Sequence, residues 1–138
     1  MSAESSSSGK KVDLSLLIMR LAVGTVFVAH GAQHLFGVFH GPGLAGTVQM
    51  MGNVGYLVAV GEFFGGLGLF FGFLTRFSAA ALIVIMLGAI EMVHFKNGFF
   101  IQNGGFEYNI ALVAMLLPIL IVGPGKYAVG VKLPPALR

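Results

Sequence analysis

Four apolar stretches, at about 14–36, 54–73, 77–95 and 108–122, occupy most of the chain. Each approaches the roughly 20 residues that a helix needs to cross hydrocarbon, the last being the shortest. Lipid offers no partner to backbone N–H and C=O groups, so apolar runs this long satisfy them internally, as helices. A water-soluble fold is excluded by charge: 9% of the 138 residues are charged and 57% hydrophobic, against about 25% and 45–50% in an ordinary soluble domain. The expected fold is all-α, an integral-membrane four-helix bundle.

Residues 1–12, "MSAESSSSGKKV", are serine-rich and polar and are expected to form a flexible tail. The bundle is expected over 13–127, with a short C-terminal tail at 128–138. "GFLTRFS" reads as a tight turn, which makes the second and third spans antiparallel neighbours, while the other two connections are longer and glycine-rich. Lys10, Lys11, Arg76, Lys126, Lys132 and Arg138 fall on one side of the spans, and Lys96 lies near the long loops. By the positive-inside rule both termini are cytoplasmic and the long loops external.

The basic residues are scattered singly, so no nucleic-acid-binding patch is expected. Lys10 and Lys11 before an apolar run resemble the start of a secretory signal, but Arg20 interrupts the run and no clear cleavage site follows; the first span is read as retained. With no cysteine, the chain offers neither a disulfide nor a thiolate site.

Gly61, Gly65, Gly68 and Gly72 recur at helical spacing, a face that lets a neighbouring helix approach closely, within the monomer or in a homo-oligomer. Arg20, Gly24, Phe27, Gly31 and His34 follow the same period in the first span and are expected to face the bundle interior. Ionisable groups in hydrocarbon cost several kcal/mol and normally face one another or a wet cavity. A rise of about 1.5 Å per residue puts Glu62 near mid-membrane, within reach of Arg20, and the two are expected to form a structural ion pair. The same rise places His30, His34, Glu91 and His94 together in the outer third, with Glu107 and Asn109 opening the fourth span at that level.

His30 and His34 are four residues apart, and Glu91 and His94 form an E-x-x-H; both spacings put the pair on one helix face. Such faces bind metals, but a di-iron bundle needs a second E-x-x-H and further glutamates, which are missing, and no metal site is assigned. Haem between His30 and His94 is a related alternative that no spacing requires. A hydrogen-bonded pocket for a quinone or another small redox molecule needs fewer coincidences. Imidazole and carboxylate exchange protons near neutral pH, and Phe27, Phe95 and Tyr108 supply aromatic walls. The cofactor-binding candidates are His30, His34, Glu91, His94, Tyr108 and Asn109; the candidates for chemistry are His30, Glu62, Glu91 and His94. The competing reading is a satisfied polar network that only specifies helix packing.

"HGAQHLFG" at 30–37, Arg20 and Gly24 before it, "GEFFGGLGLFFGFLTR" at 61–76, His94, and "GPGKY" after the fourth span are the residues by which the chain resembles the DoxX family of small four-helix bacterial membrane proteins. The resemblance covers about 14–127. In that family the position of His34 is often a lysine. The resemblance implies a plasma-membrane protein linked to redox or sulfur metabolism, since relatives resemble the membrane subunit of thiosulfate:quinone oxidoreductase and others gather soluble oxidoreductases at the membrane. By matching position it points to Arg20, His30, Glu62, Arg76 and His94.

The expected function is an inner-membrane subunit of a redox-linked complex that handles a small redox-active molecule such as a quinone, with other membrane or peripheral oxidoreductase subunits as partners. A non-catalytic scaffold for such partners is the first alternative. A transporter or proton pathway is the second, although no pair of interrupted helices points to it.

Overall fold

The computed structural model describes residues 2–138, with side-chain exposure from Ser7 onward. Its elements, in order, are α1 (Ser2–Phe36), α2 (Gly43–Met51), α3 (Val54–Phe71), α4 (Thr75–Ala89) and α5 (Glu107–Val122), with no strand among the described residues. Beyond α4 the helix widens into a π turn at Ile90–His94 and tightens into a 3-10 turn at Phe95–Asn97. Three helices are long and apolar enough to cross a membrane: Ser7–Phe36, Val54–Phe71 and Thr75–Asn97. Helix α5, at 16 residues, is about 24 Å long by its rise, somewhat short of the ~30 Å hydrocarbon layer.

The expected N-terminal tail is helical from Ser2, and Met1 lies outside the described residues. No proline interrupts 2–12, so once α1 is nucleated the helix propagates outward through them at one hydrogen bond per residue. The C-terminal stretch is no loose tail either. Gly130 is buried and its N–H donates to the carbonyl of Gly72, and Lys126 N–H donates to Asp13 Oδ1. Residues after α5 thus close the end of the bundle where α1 enters and α5 leaves, here called the terminal end. Helix α2 and the connection between α4 and α5 form the opposite, loop end.

Glycines set the helix spacing. A Cβ on Gly24 would lie 2.9 Å from the carbonyl oxygen of Gly66, and one on Gly66 would lie 2.6 Å from the nitrogen of Val28, so the backbones of α1 and α3 touch. Gly61, Gly65 and Gly68 face α4 instead, against Ile85, Leu82 and Ser78. Gly72 turns away to end α3 in the left-handed conformation, its N–H donating to Leu69 and Gly68 carbonyls. A core of Val23, Phe27, Leu69, Ala79, Leu82, Met86, Leu112, Leu116 and Ile119 fills the centre.

The exposed surface of the helices is far more apolar than that of a soluble protein, and the apolar core also holds buried polar groups. Leu57, Val84 and Ile121 are about 70% exposed, whereas Arg20, Glu62, Thr75 and Asn109 are buried. That pattern suits a surround of lipid tails, which are as apolar as the exposed side chains.

Candidate functional site

Two polar layers divide the interior. At the terminal end the guanidinium of Arg20, fully buried, donates through Nη1 to the carbonyl of Leu69 at 3.1 Å and through Nη2 to the carbonyl of Tyr127. Leu69 O belongs to the last turn of α3, where it accepts only a long 3.2 Å bond from the Gly72 N–H and the helix dipole favours a cation. Arg20 therefore locks three segments together. It does not pair with Glu62, contrary to expectation. In a helix each Cβ leans toward the N-terminus. On antiparallel α1 and α3 that lean carries Arg20 toward the terminal end and Glu62 toward the loop end. Seven residues, about 10 Å of rise, separate Glu62 from Leu69, so the guanidinium cannot serve both.

Glu62 meets His34 instead: Nδ1 lies 2.7 Å from Oε2, with the carboxylate almost fully buried and the ring about one-fifth exposed. Thr47 of α2 meets the end of α1, its one hydroxyl proton shared between the carbonyls of Gly43 at 2.8 Å and His34 at 3.1 Å. Facing this pair from the π turn, His94 donates through Nδ1–H to the carbonyl of Gly104 at 2.7 Å. A carbonyl can only accept, so Nδ1 carries the proton, and Nε2 is the ring nitrogen left over.

His30, His34, Glu62, His94, Tyr108 and Asn109 line one cavity of about 570 Å3, floored by Phe27, Met86 and Leu112. His30 is exposed at its margin, its ring centroid 6.5 Å from that of Tyr108. Asn109 is buried, its Nδ2 donating to the sulfur of Met86 at 3.5 Å. Neither Nε2 of His34 nor Nε2 of His94 has a hydrogen-bond partner among the described residues.

Glu91 does not join them. It is exposed and lines no part of the cavity. The E-x-x-H reading assumed α-helical winding, but residues 90–94 form a π turn with i→i+5 bonds, in which residues three apart no longer share a face. Phe95 also turns outward, stacking on Phe106 with centroids 6.0 Å apart. Glu107 accepts from the N–H of Ile101 at 2.7 Å and braces the loop. No group of three or more His, Asp or Glu side chains is placed to hold a metal ion among the described residues. The sequence reading missed Thr47 and Gly104; the second is signalled only by a Gly-Gly pair in a long loop, the first by nothing local.

The DoxX family model matches residues 15–95, which include Arg20, His30, His34, Glu62 and His94. The chain belongs to the DoxX family. Two DoxX-like relatives support this. A Bacillus subtilis (strain 168) protein named "Putative oxidoreductase CatD" is 29% identical over 116 residues, 80% of this chain and 81% of that one. An Escherichia coli (strain K12) protein named "Inner membrane protein YqjF" is 29% identical over 126 residues, 87% of this chain and 92% of the relative. No solved structure matches. With three membrane-length helices, this DoxX protein is a bacterial inner-membrane protein. Tyr108 and Asn109 lie beyond the span that the family model matches.

Proposed function

We propose that this DoxX protein is a membrane subunit that binds a quinone-like ring in the cavity and exchanges protons with it, electrons coming from a partner oxidoreductase. The carrying observation is that His34 and His94 line one cavity, each with Nδ1 engaged by a protein partner and no hydrogen-bond partner at Nε2 among the described residues. A network that served packing alone would spend its polar groups on one another, as Arg20 spends two of its own on the carbonyls of Leu69 and Tyr127. The volume falls within the range of about 300–1,000 Å3 typical of small-molecule sites, and apolar walls with a few convergent polar groups are their usual lining.

A bound quinone would accept two electrons and two protons. His94, its Nδ1 proton held by Gly104, accepts or delivers a proton at Nε2, and so does His34, with Glu62 fixing its ring and sharing the charge that forms. Asn109 and Tyr108 place an amide and a hydroxyl where ring oxygens need partners. In this reading α5 completes four crossing helices, the terminal end is cytoplasmic, and the cavity lies in the outer half. The name of the Bacillus relative, an oxidoreductase, supports a redox setting.

The test is titration of a short-chain ubiquinone analogue into the purified protein in nanodiscs. Glu62→Gln and His94→Phe are each expected to weaken binding about tenfold, the equivalent of one hydrogen bond. Native-like binding by both variants, or no binding by the parent, overturns the proposal.

A further inference from the structure

The α3–α4 seam is shut at the terminal end and open at the loop end. Gly68 packs on Ser78, Gly65 on Leu82 and Gly61 on Ile85, each close enough that a Cβ would meet its neighbour within ordinary contact distance. Continuing that antiparallel register one turn puts Gly88 opposite Val58. A Cβ on Gly88 would find nothing within 4 Å. A helix-interior glycine costs about 1 kcal/mol relative to alanine, and here no close backbone contact explains it.

The residues flanking the gap face two ways. Leu57 on α3, Val84 on α4 and Met92 in the π turn line the cavity and are also 59–71% exposed. These three flanking residues are apolar, while His34, His94 and Glu62, less exposed than they are, line the cavity with them. The π turn begins two residues past Gly88, so the remainder of the helix no longer follows the α-helical register that the lower seam obeys.

We propose that the gap at Gly88 is a lateral portal through which the cavity opens to the lipid tails, so that its ligand is an amphiphile whose polar head meets His34 and His94 while its hydrocarbon tail leaves between α3 and α4. This deepens the reading of the cavity as a ligand site and rests on it. It selects membrane-dissolved, long-tailed molecules over water-soluble ones, because a head group entering from water would leave the apolar rim unmatched.

The chain contains no tryptophan, so a single Phe27→Trp on the cavity floor reports what enters, with Leu112→Trp on the α5 wall as a second reporter. Ile121→Trp, on the lipid-facing surface, serves as the control. In vesicles of phosphatidylcholine brominated along its acyl chains, both reporters are expected to be quenched. Adding Gly88→Leu is expected to abolish that quenching and leave the Ile121→Trp signal unchanged. Reporters that are unquenched, or quenched equally with Gly88→Leu, overturn the portal. In unbrominated vesicles a long-tailed ubiquinone is expected to quench the same reporters only when Gly88 is intact. Quenching by brominated tails without quenching by ubiquinone keeps the portal and removes the quinone; quenching by ubiquinone that ignores Gly88→Leu does the reverse.

Discussion

Gly31→Ala is the sharpest perturbation of the site that leaves every polar group in place. A Cβ at this position would lie 2.5 Å from Cα of Phe63, and ordinary contact begins at 3.4 Å. The backbone nitrogen of Phe63 lies closer still, and none of these atoms can rotate aside; α1 and α3 must part by at least about 0.9 Å at this level. Phe63 adjoins Glu62, and His34 lies one turn beyond Gly31, so the separation falls on their contact. Stretched from 2.7 Å to about 3.6 Å, that contact is no longer a hydrogen bond. Overpacking costs about 1–3 kcal/mol, and an interhelical hydrogen bond in a membrane adds about 0.6, up to ~1.7, for a loss of roughly 2–4 kcal/mol. Unfolding in sodium dodecyl sulfate, followed by helical circular dichroism, reads the stability. The ring-nitrogen signals of isotopically labelled histidine read the contact. Gly88→Ala, which meets open space, is expected to be neutral or stabilising by about 1 kcal/mol. If Gly31→Ala matches Gly88→Ala in stability and keeps the native His34 signal, the close-packed origin of the dyad is refuted.

Arg20→Met is expected to leave the carbonyl of Tyr127 without the guanidinium that it accepts from, at about 1–3 kcal/mol, while that of Leu69 keeps the N–H of Gly72, and to loosen the segment after α5; protease sensitivity near Tyr127 measures this, with Arg20→Lys intermediate. Glu91→Gln is expected to leave binding of the ubiquinone analogue unchanged, because Glu91 is exposed and outside the cavity; a tenfold loss would contradict its placement. His34→Lys is expected to keep a cation–carboxylate contact with Glu62, preserving stability in the same unfolding assay, but to lose the proton exchange that an imidazole supplies near neutral pH, seen as slower quinol formation with an added electron donor. Single cysteines in this cysteine-free chain test orientation: Ala45→Cys is expected to react with a membrane-impermeant maleimide from outside the cell and Lys132→Cys is not.

What the sequence made legible follows from periodicity. The apolar runs mark the long helices, "GFLTRFS" marks the α3–α4 turn, and the spacing of Arg20, Phe27 and His34 puts all three on the buried or cavity-facing side of α1. Depth reckoned from helix rise puts His30, His34, Glu91, His94, Glu107 and Asn109 at one level, and of these His30, His34, His94 and Asn109 share a cavity while Glu91 and Glu107 do not line it. Partner choice was harder. Distance alone allowed Arg20 to reach Glu62; the N-terminal lean of each Cβ sends them apart and was available from the sequence once α1 and α3 were taken as antiparallel. Glu91 could not be placed that way, because the π turn that rotates it outward depends on how α4 meets the loop and has no local signature. Helix α2 was illegible for another reason: nine residues with two glycines and no side-chain cap form a helix only when held from outside, here with Thr47 bonded to the end of α1.

The two polar layers answer different demands, and the difference lies in what each leaves unspent. At the terminal end both Nη groups of Arg20 are held by backbone carbonyls of α3 and the C-terminal segment while its buried Nε has no partner among the described residues, and Gly72 could not carry a Cβ without striking that guanidinium. This layer fixes helix register where α3 and α4 are tightly closed. At the loop end the glycine spacing changes: contact between α1 and α3 is kept through Gly31, while α3 and α4 separate beyond Gly61. Polar groups placed there keep half their hydrogen-bonding capacity, since both imidazoles hold Nδ1 to a protein partner and turn Nε2 loose. Stability concentrated at one end lets the other remain open without unravelling the bundle, which is the division that a site fed from the surrounding lipid requires.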